Sequence, residues 1–339
     1  MKIILRDESA LYYECGYSCD NAVYLRLGKE AWFFTDGRYG IEAKASVKGA
    51  EVVVATDVVA KAAKILAKEG VKRCGYDPKE WDCYTLDRLN PRKKILWIEK
   101  PDWSHKRRII KSAKEQKLLA EAAAEGGKAF ERIARRIAKE GFGMDEYRLA
   151  FLAEEELRKR GRRELSFEPI VALGANAAKP HARPTDRVLQ KGDLLLMDAG
   201  IKYRRYCSDR TRTVQAQKGF DFGIEQRFES KKIQKAYDTV RKAHDRAIAK
   251  ARSGMKARKV DALAREVIEK AGFGKYFVHS TGHGVGLDIH EMPYISRRSE
   301  TRIEDGMVFT VEPGIYLPGK FGIRIEDMVV MRHGRAEIL

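Results

Sequence analysis

Over the first hundred residues, short apolar runs alternate with turns. Ala22-Val23-Tyr24-Leu25-Arg26-Leu27 and Ala31-Trp32-Phe33-Phe34-Thr35 predict two strands joined across Gly28-Lys29-Glu30. Val52-Val53-Val54-Ala55 predicts another strand, and the segment from Val58 to Ala67 has helical spacing. Together they predict a small α/β domain with a mixed sheet over residues 1–110.

A basic connector from Ser104 to Lys111 leads to Ser112-Ala113-Lys114-Glu115, a capping box with Ser112 as N-cap and Glu115 three residues on. Leu118, Leu119, Ala122, Phe130, Ile133 and Ile137 then recur at helical spacing until Gly141 and Gly143. A second helix is expected from Asp145. Beyond Phe167 the pattern changes to strand-like runs at Pro169 to Leu173, Leu194 to Met197 and Met307 to Val311. Between them lie two helical stretches, one with Ile233, Tyr237 and Val240, the other with Leu263, Val267 and Ile268. Residues 111–339 therefore predict an α+β domain, helices packed on an antiparallel sheet.

Composition sets limits. The chain has 339 residues, 44% hydrophobic and 34% charged, as in water-exposed globular proteins, and two domains fit that length. No run approaches the ~20 apolar residues of a membrane span. Met1-Lys2-Ile3-Ile4-Leu5-Arg6-Asp7 meets charge too early for a secretory signal, so a cytoplasmic address is expected. Five cysteines (Cys15, Cys19, Cys74, Cys83, Cys207) without paired CxxC spacing argue against a disulfide framework or a structural zinc site. The net charge of +18 raises the question of nucleic acid, but the basic residues are interspersed with acids along predicted helices, and no RNA-binding aromatic motif, zinc finger or basic-region heptad accompanies them. A solvated basic surface is the favoured reading, without a nucleic-acid partner.

The candidate chemistry lies in acids placed where strands should exclude them. Asp198 follows Leu194-Leu195-Leu196-Met197, Asp209 precedes Thr211-Arg212-Thr213-Val214, Glu312 follows Val308-Phe309-Thr310-Val311, and Glu326 lies between Ile325 and Met328. Burying an unpaired carboxylate is costly. A hairpin turning at Tyr203-Arg204 would set Asp198 opposite Asp209; one centred on Gly319 would set Glu312 opposite Glu326. Four facing carboxylates require protonation or cations, and two divalent ions fit such a cage. Taken alone, either pair reads equally well as a surface hairpin. Three of the seven histidines, His279, His283 and His290, fall within twelve positions flanked by glycine, which favours a site.

Five motifs in order resemble the pita-bread metallopeptidases, in the branch of Xaa-Pro aminopeptidase (aminopeptidase P) and prolidase. They are Met197-Asp198-Ala199-Gly200, Ser208-Asp209-Arg210-Thr211-Arg212-Thr213, Gly282-His283-Gly284-Val285-Gly286, Val311-Glu312-Pro313-Gly314-Ile315-Tyr316 and Gly322-Ile323-Arg324-Ile325-Glu326-Asp327. Thr35-Asp36-Gly37-Arg38-Tyr39 is similar to a segment of that family's creatinase-like N-terminal domain. The resemblance implies a pita-bread catalytic domain and metal ligands Asp198, Asp209, His283, Glu312 and Glu326, with Asp209 and Glu326 bridging. It implies that His279 and His290 hold substrate and stabilise the tetrahedral intermediate, that His181 lines the cleft, that Arg324 orients a carboxylate, and that Glu312 moves the proton. It implies a metal-bridging hydroxide that attacks the bond before proline in short peptides, and a homodimer. The oxygen-rich ligands suit manganese first, cobalt or iron as substitutes, and zinc less well.

Alternatives remain open. The expected activity is that of an Xaa-Pro aminopeptidase; a strict dipeptidase would need a cation for the product carboxylate, for which Arg297 and Arg298 are candidates, though both also read as solvated loop residues. A non-catalytic macromolecule-binding member of the fold is the reading from another class. The intact ligand set opposes it.

Overall fold

The computed structural model describes residues 1–339 and divides into two compact units, Met1–Arg108 and Ile109–Leu339. The first runs β1 (Lys2–Leu5), α1 (Glu8–Cys15), β2 (Ala22–Leu27), β3 (Glu30–Thr35), α2 (Gly40–Ser46), β4 (Glu51–Val54), α3 (Val58–Lys68), β5 (Arg73–Tyr76), α4 (Cys83–Leu89), β6 (Leu96–Glu99) and α5 (Trp103–Arg108). Its sheet has the order β4-β3-β2-β1-β5-β6. The β1–β2 and β2–β3 pairs are antiparallel and the outer pairs parallel, giving the mixed sheet expected. Both faces are buried, and strand alternation sorts them. Ile4, Val23 and Leu25 pack with Ala62 and Leu66 of α3, whereas Ile3, Leu5 and Tyr24 pack with Leu11 of α1 and Ala43 of α2.

The second unit begins with α6 (Ala113–Arg136), and the capping box is present: Ser112 N donates to Glu115 Oε2 at 2.8 Å, and Glu115 N to Ser112 Oγ at 3.4 Å. A π turn (Ile137–Gly141) ends the helix, and α7 (Glu146–Arg158) starts with Asp145 as N-cap. Then come β7 (Glu164–Leu165), β8 (Ile170–Leu173), β9 (Leu194–Ala199), β10 (Ile201–Tyr203), β11 (Tyr206–Cys207), β12 (Arg210–Gln215), α8 (Lys231–Lys250) and α9 (Ala257–Lys270). The last stretch is all strand: β13 (Gly282–Gly284), β14 (Glu291–Ile295), β15 (Val308–Val311), β16 (Gly314–Leu317), β17 (Phe321–Arg324), β18 (Asp327–Arg332) and β19 (Arg335–Ile338).

All strand pairs here are antiparallel, in sheets ordered β12-β9-β8, β14-β13-β15-β18-β19, β11-β10-β7 and β16-β17. Helices α6 and α7 bury Phe130, Ile133, Leu149 and Leu152 against Val171, Leu195 and Met197. Helices α8 and α9 bury Tyr237, Val240, Val260 and Ile268 with Leu196, Phe309, Ile323 and Val329. Residues 194, 196 and 198 share one face of β9, so Asp198 extends the face on which α8 and α9 pack. No helix is long and apolar enough to cross a membrane. The cysteines are unpaired, and all but Cys83 are buried.

One expected register is wrong. Tyr203 pairs with Tyr206 and Lys202 with Cys207, so the turn residues are Arg204 and Arg205, both with positive φ (48° and 77°). Moving the turn centre by one residue moves every partner by two. Asp198 therefore lies opposite Thr211, and Asp209 sits in the break between β11 and β12. A two-residue turn with both residues left-handed matches strand twist, and it keeps Tyr203 in the ladder. The second hairpin follows its glycine. Val311 pairs with Asp327 and Gly314 with Arg324, so Glu312 and Glu326 face each other where the ladder is interrupted. Gly319, at the tip, has φ 68°.

Candidate metal centre

Asp198, Asp209, His283, Glu312 and Glu326 converge on the floor of a cleft of about 510 Å³. Asp209, His283 and Glu326 each offer a ligand atom within 4.8 Å of the others. His283 Nε2 lies 3.5 Å from both Asp209 Oδ2 and Glu312 Oε1. Its Nδ1 donates to the Gly284 carbonyl at 3.1 Å, which leaves the Nε2 lone pair facing the acids. The flanking glycines are steric necessities: a Cβ at Gly282 would collide with the Thr310 carbonyl, and one at Gly284 with that of Met292. The backbone carrying His283 thus runs tight against β15 and β14.

The electrostatics are those of an uncompensated cage. Burial, then the neighbouring carboxylates, hold Asp209 and Glu326 well above the usual carboxylate range. Burial also pushes Glu312 up to about 8. His283 is depressed to about 3 by burial and then by His290. One cation opposes the four acids: Arg324 Nη2 donates to Asp198 Oδ2 at 2.6 Å. Asp198 Oδ1 and Asp209 Oδ1 are buried without a hydrogen-bond partner. Orphaned carboxylate oxygens beside an aimed imidazole lone pair are a donor set that divalent cations satisfy, and a cation at that point reverses the proton-favouring field. The residues fit a metal centre.

Several residues that brace the site were not singled out from sequence. Thr211 Oγ1 donates to Glu326 Oε2 at 2.5 Å and accepts from Arg324 Nε at 3.0 Å. Tyr316 Oη accepts from Arg324 Nη1 at 2.6 Å and lies 2.9 Å from His279 Nε2. The buried pair Asp261–Arg265 holds the 277–281 segment. Asp261 Oδ1 accepts from Thr281 Oγ1 at 2.9 Å, and Arg265 Nη2 donates to the His279 carbonyl at 2.9 Å. Glu146, fully buried, accepts from Leu173 N, Asn176 Nδ2 and Thr185 N at 2.6–2.7 Å and so ties down the loop carrying His181. Lys111 Nζ meets Glu291 Oε1 at 2.5 Å with both side chains 1% exposed, anchoring the residue after His290. A signal existed for Thr211 alone, as the hydroxyl one strand period beyond Asp209.

The three outer histidines differ. His181 and His290 line the cleft and are exposed, and the His290 ring packs edge-on against His283 at 4.3 Å. Desolvation and His181 hold the His290 pKa below its ordinary value. His279 also lines the cleft, but both ring nitrogens are engaged: Nδ1 with the Ser280 carbonyl at 2.7 Å and Nε2 with Tyr316. Its geometry is that of a brace, with burial depressing its pKa to about 3. Arg297 and Arg298 are not brought to the site. Both are exposed, Arg297 pairs with Glu269 at 3.2 Å, and neither lines the cleft, because the chain turns outward after β14. The cleft wall instead carries Arg183, which has no ion pair.

Residues 117–333 match the model of metallopeptidase family M24, and residues 2–95 match the creatinase/prolidase N-terminal domain. The chain belongs to family M24. It is an enzyme, a two-domain metallopeptidase with a creatinase-like first domain and a pita-bread second domain. Over 97% of its length, and 90% of the relative's, this M24 chain is 34% identical to an uncharacterized peptidase of Bacillus subtilis. It is 38% identical to the Xaa-Pro dipeptidase of Pyrococcus furiosus over 68% of this chain and 63% of that protein. Among solved structures, the Xaa-Pro dipeptidase from Bacillus anthracis superposes with a TM-score of 0.90 at 34% identity, covering 99% of this chain and 92% of that one. The X-Pro aminopeptidase from Thermotoga maritima gives 0.87 at 32%, covering 99% and 94%.

Proposed function

We propose that this M24 peptidase hydrolyses the bond before proline at the N-terminus of short peptides, Xaa-Pro dipeptides included. The observation that carries the reading is the convergence of four carboxylates and His283 at the floor of a small cleft walled by histidines. Asp198, Asp209, His283, Glu312 and Glu326 would hold two divalent cations, Mn²⁺ by the hardness of the oxygen donors. When bound, the ions supply Lewis acidity and lower the pKa of water.

The chain's own groups do the rest. Glu312, whose carboxyl burial alone holds protonated, would be ionised beside bound cations and then accept a proton from the attacking water and return it to the departing proline nitrogen. His290, with its ring nitrogens uncommitted and its pKa depressed, is a neutral donor for the developing oxyanion. His279 acts through Tyr316 and Arg324, keeping Asp198 aimed at the centre. His181 and Arg183 stand on the wall where the far end of a substrate lies. An uncommitted guanidinium there suits a free carboxylate, which favours dipeptides beside longer peptides.

The test is an assay of metal-stripped protein with Mn²⁺, Co²⁺, Fe²⁺ or Zn²⁺ restored, on X-Pro and X-Pro-Y side by side. Cleavage of both supports the reading, with Arg183→Gln expected to slow the dipeptide more than the tripeptide. Cleavage of neither, with two ions bound, would reject the proline specificity. The homodimer that the family resemblance implies is tested by sedimentation velocity, and the cytoplasmic address expected from the charged N-terminal segment by cell fractionation.

A further inference from the structure

The +18 charge is unevenly placed. Residues 231–275 carry fourteen lysines and arginines against five acids, a net +9 and half of the chain's total. Ion pairs engage members of both sets, including Arg241 with Glu225 and Lys256 and Arg258 with Glu300. Asp261 is buried against Arg265 at 2.7 Å; Asp245, exposed, meets His244 at 3.0 Å, Glu266 holds Arg246 at 2.9 Å and Glu269 holds Arg297 at 3.2 Å. Asp238, exposed, accepts from Gln234 at 2.8 Å and is the one carboxylate lining the groove described next.

What is left borders a groove of about 910 Å³ between α8 and α9, which shares no lining residue with the cleft of the metal centre. Lys231, Lys235 and Lys242 line it from α8 and Lys270 from α9, and none of the four has a carboxylate partner. Positions 231, 235, 242 and 246 lie along one side of α8, over a length of about 22 Å at 1.5 Å per residue. The floor is formed by Phe228 and Val267, both 8% exposed. Beyond the helix hairpin a second basic hollow, of about 550 Å³, continues the same charge with Arg252, Lys259 and Arg302.

We infer that the α8–α9 groove binds the phosphate backbone of a single-stranded nucleic acid. An elongated channel with regularly spaced, unpaired lysines tracks a line of phosphates and releases their counterions. The floor aromatics are buried, so bases find no stacking platform and recognition is independent of sequence. An anionic membrane fits less well. The surface is concave, and none of the exposed large hydrophobic side chains falls between 228 and 275 to insert among lipids. The interspersed acids and missing motifs that weigh against nucleic acid in the sequence leave Lys231, Lys235, Lys242 and Lys270 without a carboxylate partner in the fold.

The test uses the full chain, with fluorescence anisotropy of a labelled oligo(U) of about 20 nucleotides. Neutralising four to five phosphates gives a slope of about −3 in log K against log salt, or about a fifty-fold loss of affinity between 50 and 200 mM salt. Replacing Lys231, Lys235, Lys242 and Lys270 by Gln should reduce affinity at least about tenfold and flatten the slope by about 2 to 3. Peptidase activity should not change. A control removes the same charge from the exposed Lys61, Lys64, Lys68 and Lys72 and should retain binding. Absence of binding at 50 mM salt would overturn the inference. So would equal losses in the two quadruple variants, which would reduce the effect to bulk charge, or binding to phosphatidylserine vesicles in place of the oligonucleotide.

Discussion

The two hairpins that deliver the four carboxylates reach the same centre by different routes. In the Gly319 hairpin, Glu312 and Glu326 lie opposite each other in a gap between two ladders. In the Arg204-Arg205 hairpin they do not: Asp198 is held within the ladder opposite Thr211, and Asp209 occupies a break. The stagger has a chemical consequence. The position opposite Asp198 is a hydroxyl that donates to Glu326 and accepts from Arg324, so a hydrogen-bond donor stands where simple opposition would put another negative charge. Interrupted strands let carboxylates tilt inward, and the neighbouring ladder residues brace them.

Replacing a carboxylate from either hairpin should have the largest effect. Asp209→Asn and Glu326→Gln are each expected to lower kcat/KM by about 10³-fold or more, a loss on the scale of removing a principal electrostatic stabiliser. Near-wild-type, metal-dependent turnover in either variant would remove that residue from the centre.

Metal removal probes the cage as a whole. In the stripped protein Asp209, Glu312 and Glu326 have folded pKa values above their unfolded ones, Glu312 at about 8. The native state then binds more protons than the unfolded chain. Stability is fully present below the unfolded carboxylate pKa and declines as pH rises towards about 8. Melting curves of stripped protein should fall by several degrees between about pH 7 and 8, above the range in which the depressed His279 and His283 act in the opposite direction. Added Mn²⁺ should restore more at pH 8 than at pH 5. A melting temperature that rises between about pH 7 and 8 in the absence of metal would contradict the uncompensated cage.

Thr211→Val separates the hairpins more finely. Losing the donor to Glu326 should weaken metal binding about 10–100-fold, measured by competition with a chelating indicator, while leaving the fold intact. An unchanged affinity would mean that the stagger is a topological accident. The smallest effect belongs to the turn. Arg204→Asn with Arg205→Gly places residues tolerant of positive φ at both turn positions and should stabilise by about 1 kcal/mol in urea unfolding, without affecting activity.

The same contrast shows what the sequence carries. Short apolar runs bounded by turns located β2 and β3, the capping box located the start of α6, and Gly319 fixed the second hairpin, because each is a local rule with a local signal. The first hairpin was misregistered because arginine is an uninformative turn residue. Convergence of Asp198, Asp209, His283, Glu312 and Glu326 was legible from misplaced acids, glycine-flanked histidine and family resemblance. Bracing by Lys111 and Glu146 was not, since an ion pair formed 180 positions apart, or a carboxylate that accepts from a loop 27 to 39 positions away, leaves no pattern in either segment. Arg297 and Arg298 were near His290 in the chain but not in space.

The most direct measurement is hydrolysis of an Xaa-Pro dipeptide by stripped protein titrated with Mn²⁺. Two bound cations doing the chemistry would give no turnover without metal and a rate that saturates at two ions per chain. Full activity in excess chelator, or saturation with no ion retained, would contradict that reading.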